Sequence, residues 1–301
     1  MNLKIGVAIS STGQKLRWHE LQLQRAFDKK RISTVFFPIK DTIAIYGSST
    51  LRLLYNNSNL INELSGILVR GPGIGVLEQI YFRMNVVRLF EHSGIHVINS
   101  ATAIERASDK LFSSMALEGA NILVPPTMVA QKIDEAMKFF RNYKDIVIKP
   151  LFGSRGKGVT RITDEDAVNL IFETLEQFNM TIYLQKFIPH GNRDIRALVI
   201  GDQVIAAMYR VAENNGWKTN VSLGATTELC ELDEKLKKIC VRAAQIIGCE
   251  IAGIDIMIPE NEQDVDYYLL EVNACPAWEG LQKATTLNIA EAIVDYIVAR
   301  I

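Results

Sequence analysis

The stretch that decides the fold is Tyr267–Asn273, with the sequence YYLLEVN, which ends at a Cys-Pro break. Its aromatic, aliphatic and β-branched residues predict a strand, and Ile251–Ile258 is a second run of this kind. Because side chains alternate between the two faces of a strand, Glu271 and Asn273 point the same way. If the two strands pair, Asp255 joins them, and two carboxylates and an amide share one face of an otherwise apolar hairpin.

This trio of side chains has two interpretations. Removing a carboxylate from water costs roughly several kcal/mol, so two neighbouring carboxylates favour a bound cation. An all-oxygen set suits Mg²⁺, which proteins usually share with substrate phosphates. Alternatively, the three residues are separate solvent-facing positions on amphipathic strands, and the rest of the chain has to decide.

The composition is that of an ordinary soluble globular protein. The chain has 301 residues, of which 48% are hydrophobic and 22% charged. A net charge of −1 does not indicate a nucleic-acid-binding protein, and no apolar run is long enough to span a membrane. We therefore expect neither a nucleic acid nor a membrane as a partner. The N-terminus reads as a strand rather than a signal peptide, and the four cysteines have no paired metal spacing. We therefore expect reduced thiols and a cytoplasmic location.

The N-terminal third alternates strand and helix, which predicts an open parallel sheet covered by helices. The predicted strands are 3–9, 34–39, 66–70 and 97–99, and the predicted helices are 14–30 and 76–92. The loop Arg70–Gly75 is glycine-rich, but its spacing fits neither a dinucleotide-binding motif nor a P-loop. It is either a plain turn or a flexible loop whose Arg70 meets an anionic group.

A cationic segment follows in the middle of the chain. Ser108 or Asp109 can cap a helix that ends near Gly119, with Lys110 in its first turn. Lys149 ends an apolar strand, where an ammonium is costly unless it meets an anion. The loop 151–158 then has three glycines and two cations, which suits a mobile cover for phosphates. A basic β-turn is the alternative, and the lysine immediately upstream favours phosphate binding.

The C-terminal part supplies further polar side chains on strands. A strand over 181–189 precedes a hairpin over 194–212, which has Asp194 and Arg196 on one face and Arg210 near the end of its second strand. The cations suit nucleotide phosphates, and the acids suit Mg²⁺ ions that bridge those phosphates. This division of labour is typical of phosphoryl transfer, where catalysis is mainly positioning and charge neutralisation.

These motifs together give the chain a recognisable pattern, and it resembles ATP-grasp enzymes of the RimK-like glutamate ligase family along essentially its whole length. The residues that carry the resemblance are Ser108–Lys110, Val147–Pro150, Gly153–Gly158, Leu184–Ile188, Asp194–Arg196, Gly253–Asp255 and Leu270–Pro276. The terminal E-V-N-A-x-P run with its upstream G-x-D is specific for the superfamily. The D-I-R triplet and the run Glu279–Thr285 point to this family within it.

The resemblance implies an α/β fold with α+β lobes, the ATP-grasp fold, preceded by a parallel-sheet pre-ATP-grasp domain. The expected divisions are residues 1–98 for that domain, 99–186 for a central lobe with the Gly-rich loop, and 187–301 for a C-terminal lobe carrying the metal ligands. ATP is expected between the central and C-terminal lobes.

The resemblance also implies roles for single residues. The expected phosphate-side and nucleotide-side contacts are Lys110, Lys149, Gly153, Ser154, Arg155, Gly156 and Asp194. The expected lining of the adenine pocket, largely through backbone groups, is Gln185, Lys186, Phe187 and Ile188. Two Mg²⁺ or Mn²⁺ ions are expected on Asp255, Glu271 and Asn273. The expected stabiliser of the transferred phosphoryl group is Arg210, with Asn220 nearby.

The implied reaction converts a carboxylate to an acyl phosphate, which the amine of L-glutamate attacks to form an amide, with ADP and phosphate as co-products. Ser222–Ala225 lacks the basic run of members that modify a ribosomal protein tail. The segments 216–220 and 278–282 look more like members that glutamylate pterin or deazaflavin coenzymes. The alternatives are a protein-tail acceptor, a different amino acid, or a non-catalytic ATP-binding regulator. Within the second segment, Trp278 is either a core anchor or an acceptor-stacking residue. Members of the family are often homo-oligomers.

Overall fold

The computed structural model describes residues 3–10, 15–47, 50–153, 156–213, 216–260 and 265–301. It is a mixed α/β structure, which confirms the predicted fold class. Among the described helices, none is both long and apolar enough to cross a membrane.

The predicted N-terminal parallel sheet is confirmed. Its strands are β1 (Lys4–Ile9), β2 (Ser33–Pro38), β6 (Gly66–Val69) and β7 (His96–Ile98), in the spatial order β2-β1-β6-β7. The helices of this part are α1 (Trp18–Lys29), α2 (Leu60–Glu63) and α3 (Leu77–His92). Because β1 is followed in sequence by β2 on one side and has β6 on its other side, the chain changes direction across the sheet between β1 and β6.

A small antiparallel sheet between β2 and α2 was not predicted. It consists of β3 (Ile43–Gly47), β4 (Thr50–Tyr55) and β5 (Ser58–Asn59). The turn from β4 to β5 is made by Asn56 and Asn57, which have φ values of 49° and 64°. A pair of asparagines in the left-handed region is typical of a two-residue hairpin turn, so the Asn-Asn pair was the available signal.

The central part begins with two consecutive helices, α4 (Ala101–Ser108) and α5 (Lys110–Gly119). Asp109 separates them and caps the second, because its side chain accepts hydrogen bonds from Leu111 N at 2.9 Å and Phe112 N at 3.1 Å. The predicted cap and the helix end at Gly119 are therefore confirmed. The cap fixes Lys110 as the first helical residue.

An antiparallel sheet follows, in the order β10-β9-β11-β8. Its strands are β8 (Thr127–Ala130), β9 (Ile146–Lys149), β10 (Thr160–Ile162) and β11 (Ile182–Lys186), with helices α6 (Ile133–Tyr143) and α7 (Glu165–Gln177). Phe140 and Phe172 of these helices pack against Ile146 and Leu184 of the sheet in a core of its own. Only one face of the sheet is used by this core, so the other can face a ligand.

The C-terminal sheet is antiparallel, in the order β14-β13-β12-β15-β16. Its strands are β12 (Arg193–Ile200), β13 (Gln203–Val211), β14 (Thr226–Cys230), β15 (Ile251–Met257) and β16 (Tyr268–Asn273). The helices are α8 (Glu234–Ile247), α9 (Glu279–Ala284) and α10 (Ile289–Arg300). The first strand of the hairpin, β12, therefore lies directly beside β15, which carries Asp255, and β13 is one strand further away.

The two ends of the chain share one core. Ile293 and Ile297 of α10 join Ile5 and Phe27 of the N-terminal part, together with Trp278, which is only 1% exposed. That burial supports the core-anchor interpretation of Trp278. We propose that the divisions 1–98, 99–186 and 187–301 describe three lobes of which the first and last are not independent folding units.

Candidate active site

The pairing of β15 with β16 brings the predicted polar trio to one place. Asp255 lies opposite Glu271, and Gly253 lies opposite Asn273, with a β-bulge after Asp255. Residues directly opposite each other share a sheet face, so the predicted meeting of the two carboxylates is confirmed. Gly253 has no room for a side chain, because a Cβ would lie 2.6 Å from Arg196 Nη1. This close approach explains the glycine of the G-x-D motif.

Asp255 is 4% exposed and is held by two arginines, Arg196 of the adjacent strand β12 and Arg210 of β13, the next strand across the sheet. Arg196 Nη2 donates to Asp255 Oδ2 at 2.9 Å, and Arg196 Nε also contacts Oδ1. Arg210 Nη2 lies 3.0 Å from Asp255 Oδ2. Burial alone would raise the pKa of this carboxyl group, but Arg196 and Arg210 outweigh burial and lower it. The carboxylate is therefore ionised and already partly neutralised by protein cations.

Arg210 has a second carboxylate partner. Its Nε donates to Asp194 Oδ1 at 2.7 Å, and its Nη2 donates to Asp194 Oδ2 at 2.5 Å. Burial would lower the pKa of the guanidinium, but Asp255 and Asp194 outweigh burial and raise it above its ordinary value. Asp194 is 3% exposed and holds Arg210 in a two-point contact, so its clearest role here is to orient that arginine.

The remaining oxygen donors are compatible with a metal ion. Glu271 is half-buried, and its side chain makes no ion pair or hydrogen bond with another described residue. Asn273 Nδ2 donates to Gly253 O at 3.4 Å, which leaves its Oδ1 unused. Asp255 Oδ1 is buried and already contacts Arg196 Nε, so a metal ion at Asp255 would share this carboxylate with the two arginines. Within the described part of the chain, no three His, Cys, Asp or Glu side chains converge, so this candidate set has two carboxylates and one amide.

Two lysines of the central part face these acids, Lys149 at the end of β9 and Lys110 at the start of α5. Lys149 Nζ donates to Gln185 Oε1 at 2.5 Å, and Lys110 Nζ donates to the carbonyl oxygens of Leu151 and Gly153 at 3.3 and 3.2 Å. Burial lowers the pKa of Lys149 to about 8, an effect that Glu271 opposes and Lys110 reinforces. Lys149 is thus a half-buried cation bound to a neutral amide, as expected of a group that awaits an anion.

The Gly-rich loop reaches the same cleft. A Cβ on Gly156 would lie 2.3 Å from Asn220 Oδ1, and Gly156 has a φ of 69°, so this position requires glycine for two reasons. Asn220 thus rests against the loop. Ser154 and Arg155, two of the predicted phosphate contacts, lie outside the described residues.

The segment Gln185–Ile188, which was expected to line the adenine pocket, spans the end of β11 and the two residues after it. The amides of Lys186 and Phe187 donate to Pro126 O at 2.8 Å and Asp145 O at 3.0 Å. These two N–H groups are therefore already hydrogen-bonded within the protein. If the segment contacts a nucleotide base through its backbone, as expected, it must use its other N–H and C=O groups. Phe187 lies edge-on to Trp217, with ring centroids 5.8 Å apart.

Most of the predicted residues line one cleft that is partly open to solvent. The predicted residues on its wall are Lys110, Lys149, Gly153, Gly156, Gln185, Lys186, Phe187, Ile188, Asp194, Arg210, Asn220, Asp255 and Glu271. Asn273 is not on this wall. The cleft lies between the central and C-terminal sheets, where the nucleotide was expected.

Sequence reasoning missed several residues of the wall. These are His190, Trp217, Lys218 and Thr219, whereas Lys157 was one of the two cations of the loop expected to cover phosphates. The ring nitrogens of His190 lie 2.8 Å from Ile188 O and 3.1 Å from Trp217 O, so this histidine connects the end of the segment Gln185–Ile188 to the residues before Asn220. The available signal was the run GWKTN at 216–220, an aromatic and a cation next to a candidate catalytic amide.

Comparisons with known proteins agree with this arrangement. Residues 107–297 match the family described as the RimK-like ATP-grasp domain. A tetrahydromethanopterin:alpha-L-glutamate ligase from Methanococcus maripaludis is 34% identical over 283 residues, which cover 92% of this chain and 93% of the relative. The protein of the same name from Methanocaldococcus jannaschii is 36% identical over 253 residues, covering 82% and 83%.

Solved structures show the same fold at low sequence identity. The ATP-grasp ligase PsnB, complexed with a minimal precursor, has a TM-score of 0.78 at 18% identity and covers 100% of both chains. An ATP-grasp RimK domain protein from Sphaerobacter thermophilus has a TM-score of 0.70 at 18% identity, covering 98% of this chain and 99% of that one. At such identities the likeness establishes the ATP-grasp fold and nothing finer.

Proposed function

The chain belongs to the RimK-like ATP-grasp family, and we propose that it is an ADP-forming ligase that adds L-glutamate to a carboxylate of a small-molecule coenzyme. Use of ATP and Mg²⁺ follows from membership of the family. The observation that carries the proposal is the cleft itself. It brings the half-buried Lys149 and the buried Arg210 together with the oxygen donors Asp255 and Glu271.

The cleft residues divide the chemistry between them. Bound Mg²⁺–ATP supplies the phosphoryl group that activates the acceptor carboxylate. We assign the phosphates to Lys149, Lys110 and the glycine loop, and the metal to Asp255, Glu271 and Asn273. Arg210, held rigidly by Asp194, is positioned to stabilise charge on the transferred group.

The proposed reaction consists of two substitutions, and in each of them one bond forms and one bond breaks. An acceptor carboxylate oxygen attacks the γ-phosphorus and the bond to ADP breaks, which gives an acyl phosphate. The amine nitrogen of glutamate then attacks the acyl carbon, the bond to phosphate breaks, and the nitrogen loses a proton. The products are an amide, ADP and phosphate.

For the acceptor we favour a pterin of the tetrahydromethanopterin type over a deazaflavin coenzyme or a protein tail. The names of the relatives from Methanococcus and Methanocaldococcus support this choice. The non-basic run Ser222–Ala225 argues against an acidic protein tail, which would require cations at that position.

Three further expectations belong to the same proposal. The metal set would hold two Mg²⁺ ions, with Mn²⁺ as a substitute. The protein would act as a homo-oligomer. A cytoplasmic location fits the demand for ATP and the described cysteines, which are all free thiols.

The proposal can be tested by incubating the protein with ATP, Mg²⁺, L-glutamate and either tetrahydromethanopterin or a deazaflavin coenzyme. Mass spectrometry should detect one added glutamyl residue on the pterin, together with ADP. Transfer of another amino acid from a mixed panel, or ATP binding without any ligated product, would refute it.

A further inference from the structure

An arginine cluster lies outside the nucleotide cleft, at the carboxyl ends of β1 and β6. Ser10 follows β1, Arg70 follows β6, and Arg17 begins the turn into α1. The two strand ends stay paired, because Arg70 N donates to Ala8 O at 2.8 Å. In open parallel sheets, ligands bind outside the carboxyl ends of the strands where the chain changes direction across the sheet, and that point here is between β1 and β6.

Arg70 is a half-buried cation without an anionic partner. Its Nη2 donates to Pro276 O at 2.8 Å, and the guanidinium stacks on Trp278 at 4.4 Å from the ring centroid. Its Nε is buried with no hydrogen-bond partner, and among the described residues no carboxylate lies within ion-pair distance. A guanidinium cannot lose its proton in a protein, so this charge needs an anion from elsewhere.

The surroundings keep the cluster positive. Arg83 is 7% exposed and donates to Pro72 O at 3.0 Å and Ile74 O at 2.9 Å, so it holds the loop Arg70–Gly75 with a further cation rather than a carboxylate. His19 adds no charge at neutral pH, because burial, reinforced by Arg70, lowers its pKa to about 4. Arg17 is paired with Glu20, and its Nη2 also donates to Ser10 Oγ at 3.1 Å. The loop is therefore held by Arg83, and it presents the guanidinium of Arg70. Glu20, the carboxylate that opposes this charge, is already paired with Arg17.

The cluster is within reach of the reaction. Arg70 holds the carbonyl of Pro276, which follows the candidate metal ligand Asn273 by three residues, so the two backbone positions are no more than about 11 Å apart. A substrate with its reacting carboxylate over Asn273 can reach Arg70 with a second anionic group.

We propose that Arg70, assisted by Arg17, binds a second anionic group of the acceptor, a carboxylate or a phosphate, and so selects acceptors that carry negative charge about one short linker away from the reacting carboxylate. This inference rests on the proposed ligase function. It names a property of the acceptor that the nucleotide cleft does not determine.

The test compares the wild-type protein with R70Q, R70K, R17Q and the control R25Q, which removes an exposed arginine of α1. Titration calorimetry measures the Kd of tetrahydromethanopterin in the presence of ADP and Mg²⁺, and the Kd of ADP alone shows that each variant is folded. We expect R70Q to raise the acceptor Kd and KM about ten- to a hundredfold, R70K and R17Q less, and R25Q not at all. The KM values of ATP and L-glutamate should stay unchanged.

The outcomes separate the two proposals. Three results would overturn the inference. They are an R70Q variant that binds the acceptor as well as the wild type, a wild-type protein that binds no acceptor, and an R70Q effect confined to the KM of L-glutamate. Acceptor binding that depends on Arg70 without any glutamyl transfer would sink the ligase function and leave the inference standing. Competition by glutarate and by inorganic phosphate then identifies which anion the cluster takes.

Discussion

At the residue scale, the two carboxylates of the site differ in their ion pairs and hydrogen bonds. Asp255 is bound by Arg196 and Arg210, whereas Glu271 has no ion pair or hydrogen bond with another described residue. Removing one partner of a buried ion pair leaves an uncompensated charge, which is far more costly than removing an unpaired, half-buried carboxylate. The same substitution at the two positions should therefore have different consequences.

For Asp255→Ala, we expect the free energy of unfolding to fall by about 3–5 kcal/mol, because two guanidinium groups lose a shared anion. Urea denaturation measures this change. Glu271→Gln should alter stability by less than about 1 kcal/mol and reduce kcat at least about a hundredfold. A Glu271→Gln enzyme with normal turnover would remove this residue from the metal set.

The pKa of Lys149, lowered by burial to about 8, sets a pH dependence for nucleotide binding. Below that pH the free enzyme carries the ammonium that the phosphates need. Above it, binding must take up a proton, so the Kd of ATP should rise by up to about tenfold per pH unit. Calorimetry at pH 7, 8 and 9 tests this, and Lys149→Arg, charged throughout, should flatten the profile. A wild-type Kd that is constant to pH 9 would contradict the assignment.

At the scale of single elements, the strand character of 251–258 and 267–273 and the alternation of their side chains were enough to predict that Asp255 faces Glu271. The ion pairs of Asp255 were not predictable, because they depend on β12 lying between β13 and β15, a long-range order that local patterns do not encode. The same limit hid Asn99, whose side chain bonds to four backbone groups far along the chain.

Asn99 clamps the strands of the site to the N-terminal sheet. Its Nδ2 donates to Ile251 O and Ala274 O at 2.7 and 2.6 Å, and its Oδ1 accepts from the amides of Glu250 and Ile251. Asn99→Ala leaves these buried groups unsatisfied, so we expect a loss of about 3 kcal/mol in unfolding free energy. The exposed Asn85→Ala serves as control in the same thermal and urea unfolding measurements. Equal stability of the two variants would show that the clamp is dispensable.

The glycine loop makes a prediction about coupling. Gly156→Ala should raise the KM of ATP at least about fivefold, because the methyl group meets Asn220 and the backbone has a positive φ. Gly94→Ala is the matched control, since Gly94 also has a positive φ but open space around it. In a double-mutant cycle, Gly156→Ala and Asn220→Ala should be non-additive by more than about 0.5 kcal/mol. Additive effects would mean that loop and amide do not touch in the working enzyme.

At the scale of the whole molecule, the sequence motifs predicted the fold and the membership of the cleft better than its internal connections. Lys149, Arg210 and Glu271 converge as expected, because each sits at a strand position whose face the alternation already fixed. The shared core of α10, Trp278 and β1 joins the two ends of the chain, and no local pattern could have revealed it. The same core holds Trp278, which packs against Arg70. The proposed binding site for the acceptor therefore depends on both ends of the protein.

The central claim is that the cleft activates an acceptor carboxylate as an acyl phosphate before the amine attacks. Its most direct test is ligation with an acceptor whose reacting carboxylate is labelled with ¹⁸O, followed by mass analysis of the released phosphate. The account predicts one ¹⁸O atom in phosphate for every amide bond formed, because the carboxylate oxygen that attacks phosphorus leaves with it. Amide formation with unlabelled phosphate would contradict the account.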